Sequence, residues 1–176
     1  MFGSGSFRWG PIDLKNEPPE GITWALTYCN PDGEESPPQP DKLRAIIYEQ
    51  GPDYYSNSGG ASLYGTARDQ RGMVVYSAHN TPHLCWFLEE PFGFHFSFDP
   101  PKGPRQLTYD GSGPQPRVEH YIGGEPIYLP VGCFVSRDLG WEVVQEFLRS
   151  QRPSPVVEWI SSLEFEALGI DHNQPD

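Results

Sequence analysis

Basic residues are scarce in this chain, which has 12 Lys and Arg against 24 Asp and Glu and a formal net charge of −12 at pH 7. A surface of that sign repels phosphate, so direct binding to nucleic acid or to an anionic membrane is disfavoured. The same field accelerates the encounter with a basic partner. Solubility alone explains the charge equally well, so composition leaves both interpretations open.

Cysteines and long apolar runs are also scarce. The three cysteines, Cys29, Cys85 and Cys133, are odd in number and form no CxxC pair. This favours reduced core residues of a cytosolic protein over a disulfide framework or a zinc cluster. The opening stretch, MFGSGSFRWGPIDLK, contains no continuous apolar run, and no later stretch approaches membrane-spanning length. We therefore expect no signal peptide, no transmembrane segment and a cytoplasmic location.

Glycine, proline and aromatic residues, in contrast, are abundant. The chain has 19 Gly and 20 Pro, and 14% of its 176 residues are aromatic. This combination is typical of a globular protein with many turns and a core of large side chains. A chain of this length buries roughly two-thirds of its unfolded surface, so we expect one domain over residues 1–176. Residues 1–40 match no motif, and residues 1–20 are candidates for irregular structure.

Several short segments carry the β-branched and aromatic residues of strands and are bounded by turn residues. They are residues 22–29, 61–67, 72–78, 83–89, 93–99, 118–124 and 125–131. Most connections are too short for crossover helices, which predicts an antiparallel meander of about five to seven strands. Gly123 and Gly124 are suited to turning the last pair as a hairpin. The proline-rich segment 99–117 is either a surface loop or a hairpin excursion.

The segment GFHFSFD alternates strictly between apolar and polar residues. Phe94, Phe96 and Phe98 share one face, and His95 and Ser97 share the other. Successive side chains of a strand point to opposite sides of the sheet. The pattern therefore predicts one face in the core and one face open to water.

Two segments have the period of amphipathic helices. The first, PDKLRAIIYEQG, begins near Asp41 and ends at Gly51, because glycine commonly ends a helix. The second runs from Asp138 to Arg149, with apolar side chains over about half of its circumference, and Ser136 is a candidate N-cap. We expect an α+β fold with both helices packed on one face of the sheet.

The second helix is followed by a stop and a further strand. Pro153 cannot continue a helix, and Val156, Val157 and Trp159 favour extended structure. The sequence therefore predicts that the chain returns to the sheet near Trp159.

No motif for catalysis or metal binding stands out. The zinc deaminase signature, H-x-E followed by P-C-x-x-C, is absent, and so is the G-x-S-x-G nucleophile elbow. His79, His83 and Cys85 flank a proline turn, a spacing that favours structural roles over a metal site. We expect no catalytic residue, metal or cofactor, and not an enzyme. A hydrolase that uses His95 or His120 with nearby carboxylates is a further alternative, but it lacks a recognisable nucleophile arrangement.

Acidic and aromatic side chains at turns and on the second helix are candidates for binding a protein partner. Carboxylates four residues apart on a helix repel each other by about a few tenths of a kcal/mol per pair, which a basic partner would relieve. Tyrosine is enriched at the energetic centres of interfaces, and Tyr109 is a further ring that could lie on an exposed sheet face. The candidates are Glu89, Glu90, Phe92, Asp110, Glu119, Tyr121, Asp138, Glu142 and Glu146. A solvated surface is the alternative interpretation for each.

The C-terminal part of the chain resembles a known family. The strand closed by Pro130, the amphipathic helix WEVVQEFL and the phrase EFLRSQRPSPVVEW are similar to the first-numbered immunity family of bacterial polymorphic toxin systems. That family ends with an aromatic-Leu pair, a short linker, Arg-Pro and a Trp, and its members are encoded beside toxins of the nucleic-acid deaminase superfamily. The resemblance covers about residues 60–162. Its structural residues here are Pro130, Trp141, Phe147, Pro153 and Trp159.

The resemblance implies an α+β immunity protein that binds a cognate toxin and blocks it by stoichiometric occlusion. Its partner would be a basic toxin domain, since a domain that acts on nucleic acid presents a basic substrate groove. We expect no direct contact with nucleic acid or membrane, and the sequence does not indicate an oligomeric state. The alternative is a stand-alone module whose exposed aromatic residues bind a carbohydrate-type ligand.

Overall fold

A computed structural model of the protein describes residues 23–55, 60–71, 74–76, 81–170, 173 and 175. The strands are β1 (Thr23–Cys29), β2 (Glu35–Ser36), β3 (Ala61–Arg68), β4 (Val74–Tyr76), β5 (His83–Glu89), β6 (Gly93–Asp99), β7 (Gln106–Thr108), β8 (Arg117–Ile122), β9 (Glu125–Pro130), β10 (Phe134–Val135) and β11 (Trp159–Ser161). The helices are α1 (Pro40–Glu49), α2 (Arg137–Ser150) and α3 (Ser162–Ala167), with 3-10 turns at Pro52–Tyr55 and Val131–Cys133. The expected irregular segment 1–20 and His79 lie outside the described residues.

The main sheet contains nine of these strands, all paired antiparallel. Seven lie along one path in the order β11-β7-β6-β5-β3-β1-β2, and the short strands β4 and β10 pair with β3 and β6. The predicted α+β class and antiparallel sheet are confirmed. At its centre β5 and β6 pair over their whole length, from His83 opposite Asp99 to Glu89 opposite Gly93.

One face of the main sheet, called here the helix face, carries only apolar side chains on its two central strands. They are Leu84, Trp86, Leu88, Phe94, Phe96 and Phe98. Helix α2 packs on this face, with the ring of Phe147 edge-on to Phe98 at a centroid distance of 6.3 Å. The helix comes very close at Gly140, where an added Cβ would lie 3.0 Å from Cδ2 of Phe94. Leu43 and Ile47 of α1 belong to the same core.

Helix α2 begins where its sequence predicts. The Ser136 hydroxyl accepts a hydrogen bond from the backbone N–H of Leu139 at 3.3 Å, which confirms the N-cap. The first helical residue, Arg137, donates from Nη1 to the carbonyl oxygens of Ile47 and Gln50, at 2.5 and 3.1 Å. A cation at the C-terminal end of a helix is favourable, so this arginine joins the start of α2 to the end of α1.

The opposite face of the main sheet, called here the hairpin face, is covered by a separate two-stranded sheet of β8 and β9. Its turn is formed by Gly123 and Gly124 at φ 57° and 89°, and a tight hairpin turn of this kind requires positive φ at both residues. The prediction that this face is open to water is wrong, because His95 is only 5% exposed and Phe87 stacks on His120 at 3.7 Å. Strand alternation identifies two faces but does not reveal what a distant segment covers.

The C-terminal chain returns to the sheet at Trp159, as predicted, but Val156 and Val157, which were expected to favour extended structure, lie before the strand. Residues 155–157 form a turn, Val156 is 45% exposed, and the strand β11 begins only at Trp159, where it pairs with β7. The Trp159 indole donates to the carbonyl oxygen of Ser154 at 2.8 Å and packs edge-on to Phe98. Because β7 belongs to the segment 99–117, that segment contributes a sheet strand and is not simply a surface loop.

The residues that carry the family resemblance occupy structural positions. Phe147 and Pro130 are buried, whereas Trp141, Pro153 and Trp159 are half-buried. All three cysteines have free thiols, with Cys133 buried and the other two half-buried. Within the described part of the chain, none of the helices is long and apolar enough to cross a membrane.

Candidate functional site

The nine candidate partner-binding residues do not form one surface. Asp138, Glu142 and Glu146 lie on α2, which covers the helix face of the main sheet. Glu119 and Tyr121 lie on β8, which covers the hairpin face. Because the two groups lie on opposite faces of the main sheet, one flat partner surface cannot contact both of them. The binding surface must therefore be sought at one group or at the other.

The side chain of Glu89, a candidate for partner binding, turns toward the hairpin and does not project from the surface. Its carboxylate oxygen Oε1 accepts a hydrogen bond from Nδ1 of His120 at 2.5 Å, and its side chain is 24% exposed. His120 is 1% exposed and its Nε2 has no hydrogen-bond partner among the described residues. Burial lowers the pKa of His120, and the bond to Glu89 opposes that effect without cancelling it. This pair joins the hairpin to the main sheet and is a structural contact.

Glu90 and Phe92 lie at the surface beside the start of α2. The Glu90 carboxylate accepts from Nη2 of Arg137 at 2.6 Å, and the ring of Phe92 lies 6.2 Å from that of Phe134. Asp110 is exposed, and its Oδ1 accepts from the backbone N–H of Ser112 at 2.8 Å. These carboxylates are exposed, but each already has a partner within the protein.

Two carboxylates on α2 combine with a tyrosine of α1 to form what we call the helix patch, Tyr48, Asp138 and Glu142. The Tyr48 hydroxyl donates to Oδ1 of Asp138 at 2.8 Å, a bond that raises the pKa of the tyrosine. The guanidinium of Arg44 lies 5.3 Å from the centre of the Tyr48 ring, so this patch already holds a cation. Glu146, the third predicted carboxylate of α2, accepts from Ser150 and Arg149, and these bonds lower its pKa.

The exposed side of the hairpin carries a second acidic and aromatic group, which we call the hairpin patch: Glu119, Tyr121 and Tyr128. Both tyrosine hydroxyls donate to Oε1 of Glu119, at 3.1 Å from Tyr121 and 3.0 Å from Tyr128. The bond to Glu119 raises the pKa of each tyrosine, so both rings stay neutral donors at pH 7. Tyr121 is 49% exposed. Sequence analysis found Glu119 and Tyr121 but missed Tyr128, which the hairpin register places opposite Glu119.

Two other expectations concern buried groups. Tyr109, considered for an exposed sheet face, is buried with its ring edge-on to Phe165, so that expectation is wrong. His95, considered as a hydrolase residue, is held by the carbonyl oxygen of Cys133, which lies 3.2 Å from its Nδ1. Neither residue reaches the outer surface of the protein.

A cleft of about 410 Å³ lies between the hairpin face of the main sheet, the inner side of the hairpin and α3. Leu107, Ile122 and Ile127 contribute apolar walls, and His95 and Ser97 contribute polar groups. Small-molecule sites typically occupy about 300–1,000 Å³ and combine apolar walls with a few polar groups. The volume of the cleft falls within this range, and its lining combines both kinds of group.

Cys85 also lines the cleft and has a histidine beside it. Its Sγ lies 3.1 Å from Nε2 of His83, and Nδ1 of His83 lies 4.0 Å from Oδ2 of Asp99. Burial raises the pKa of the Cys85 thiol to about 12, and Asp99 adds to the shift. The order Cys, His, Asp resembles a nucleophile with its base and orienting acid, but a thiol with this pKa is not ionised at pH 7. Across the described residues, no cluster of three or more His, Cys, Asp or Glu side chains is arranged to hold a metal ion.

No protein-family model matches the chain, and no curated protein matches it. The resemblance to the immunity family therefore depends on the residues quoted above and stays a prediction.

Proposed function

We propose that this chain is an immunity protein that binds a cognate bacterial toxin domain and blocks it stoichiometrically, without turnover. The toxin would be basic and would act on nucleic acid, most simply as a deaminase. The proposal places the protein in the bacterial cytoplasm, where such a toxin would reach its substrate. It is supported by the net charge of −12, by the family resemblance and by one surface feature.

The hairpin patch is the observation that carries the proposal. The Glu119 carboxylate is oriented by two tyrosine hydroxyls and has no ion-pair partner in the described part of the chain. An anion that is already oriented loses little entropy when an Arg or Lys of a partner binds it. Tyrosine rings next to it supply contact area of the kind found at interface hot spots. The patch therefore suits the basic groove of a toxin.

The hairpin patch is a better candidate than the helix patch for two reasons. The helix patch has its own cation, since the guanidinium of Arg44 lies over the ring of Tyr48. The hairpin patch also lies on a two-stranded sheet whose other side is anchored by the His120 contacts with Glu89 and Phe87. A rigidly held carboxylate offers a basic partner a fixed target, whereas a nearby cation reduces the net attraction to a basic partner.

The test is growth of bacteria that express the toxin domain encoded beside this gene, with and without this protein. We expect the native protein to restore growth and to form a one-to-one complex with the toxin. Glu119→Lys should weaken the complex by about 100-fold, because it places two cations against each other. The matched control is Glu142→Lys on α2, which makes the same charge change at an exposed position and should still restore growth.

Two results would reject the proposal. The first is failure of the native, folded protein to bind the adjacent toxin or to restore growth. The second is consumption of a substrate by the purified protein alone. The carbohydrate alternative is tested by adding glycans to the protein and measuring its tryptophan fluorescence. A carbohydrate-binding module should show saturable quenching, which the immunity proposal does not predict.

A further inference from the structure

We infer that the cleft beneath the hairpin is a binding site for a neutral, mostly apolar small molecule that donates one hydrogen bond, from N–H or O–H, to Nε2 of His95. This site is separate from the hairpin patch. The patch lies on the outer side of the hairpin, whereas Ile122, Ile127 and Leu129 line the cleft from its inner side. The inference therefore does not depend on the proposed function.

The floor of the cleft consists of two neighbouring cross-strand pairs of the main sheet. Cys85 lies opposite Ser97, and Phe87 lies opposite His95. Because the residues of a cross-strand pair share a face, all four side chains belong to the hairpin face. The remaining walls come from the hairpin, from β7 and from Phe165 of α3. The result is a cleft with mostly apolar walls and a few polar groups on its floor.

The chemistry of His95 defines what the ligand must offer. Its Nδ1 lies 3.2 Å from the carbonyl oxygen of Cys133, an atom that can only accept, so Nδ1 carries the proton. Burial lowers the pKa of His95 to about 4, which keeps the ring neutral at pH 7. Its Nε2 is therefore an acceptor with a free lone pair. The hydrogen bonds of this ring within the described structure all involve Nδ1, which leaves Nε2 for a ligand in the cleft.

The other polar groups of the cleft argue against a charged ligand. The guanidinium of Arg105 is occupied by Asp99, to which it donates from Nε at 2.7 Å and from Nη2 at 2.9 Å. The thiol of Cys85 is neutral at pH 7, since burial raises its pKa to about 12. Glu166 on α3 lines the cleft as well and would repel an anion. A cation would lose its hydration against apolar walls, so a neutral donor fits best.

Indole and benzofuran form a matched pair of probes for this inference, because they have nearly the same size and only indole carries an N–H donor. We expect indole to bind the native protein with a Kd below about 1 mM. Benzofuran should bind about tenfold more weakly, because it leaves Nε2 without a donor. In protein labelled with nitrogen-15, indole should shift the Nε2 resonance of His95 while Nδ1 changes little.

Two substitutions and one control variant sharpen the test. Leu107→Trp fills the cleft and should abolish indole binding, while Leu163→Trp, at a position on α3 that is 64% exposed, should leave it unchanged. His95→Asn keeps a donor near the position of Nδ1 but removes Nε2, and its carbonyl oxygen lies nearer the backbone, at the position of the imidazole Cδ2, so the preference for indole over benzofuran should disappear. Circular dichroism confirms that each variant is folded.

Three outcomes would overturn the inference. They are equal affinity of the native protein for the two probes, indole binding that survives Leu107→Trp, and the absence of saturable indole binding to the native protein.

Discussion

The two faces of the main sheet are built from alternate residues of the same strands, yet they are closed in different ways. On the helix face, Trp86 and Phe96 pack with Phe147 of α2 in an apolar core. On the hairpin face, His95 and Cys85 lie beneath a two-stranded sheet that leaves a cleft. The helix face is closed by large apolar and aromatic side chains, whereas the hairpin face holds buried histidines in fixed orientations.

In the proposed function, this difference separates the residues that stabilise the fold from the residues that bind a partner. Apolar packing has no directional requirement, so the helix face gains stability from area alone. Buried polar groups need specific partners, and the hairpin face supplies them through Glu89 for His120 and the Cys133 carbonyl for His95. Both the proposed toxin-binding surface and the inferred cleft belong to the hairpin, one on each of its sides.

The largest expected effect is on the helix face. Phe147→Ala should lower the free energy of unfolding by about 3–5 kcal/mol, since it leaves a cavity in a closed core. Leu107→Ala, on a wall of the cleft, should cost only about 1–1.5 kcal/mol, because part of that side chain already faces open space. Urea unfolding of both variants measures the difference. Equal losses would show that the two faces are packed alike.

Acid should weaken the hairpin face before the helix face. The pKa of His95 is lowered from 6.5 to about 4 by folding, so the unfolded chain takes up its proton first as pH falls. Stability should drop through the window from pH 6.5 to about 4, by about 2 kcal/mol between pH 7 and pH 5. In His95→Asn this loss should shrink, leaving the contribution of His120, whose pKa is also lowered. A stability that is flat from pH 7 to pH 5 in the native protein would contradict the buried, neutral state of His95.

A further substitution tests whether the hairpin is a unit separate from the rest of the fold. Gly124 has φ 89°, so Gly124→Ala should cost about 1–2 kcal/mol through backbone strain. Gly51→Ala is the control, because Gly51 lacks a positive φ and has open space around its Cα. Amide exchange should accelerate first in β8 and β9 of Gly124→Ala. Faster exchange in α2 instead would mean that the hairpin is not a separate unit.

Local features of the fold could be predicted from the sequence, because they depend on neighbouring residues. Strand β5 and strand β6 occupy the predicted ranges, and the Ser136 cap and the turn at Gly123 and Gly124 form as expected. What covers each face depends on contacts between distant segments. Phe87 and His120 are an example, since nothing in either local pattern indicates that their rings stack.

The candidate site shows the same division between local features, which could be predicted, and contacts between distant segments, which could not. Tyr128 could have been found, because a two-residue turn at Gly123 and Gly124 places it opposite Glu119 in the hairpin register. Tyr48 could not, since its bond to Asp138 joins two helices that are far apart in the chain. The inward orientation of the Glu89 side chain depends on His120 of the hairpin, so it could not be predicted from the local sequence either.

Amide hydrogen exchange of this protein, alone and bound to the adjacent toxin domain, tests the central claim most directly. The account predicts strong protection in the hairpin, Arg117–Pro130, with little change across the exposed side of α2. Protection confined to α2, with the hairpin exchanging as it does in the free protein, would contradict it.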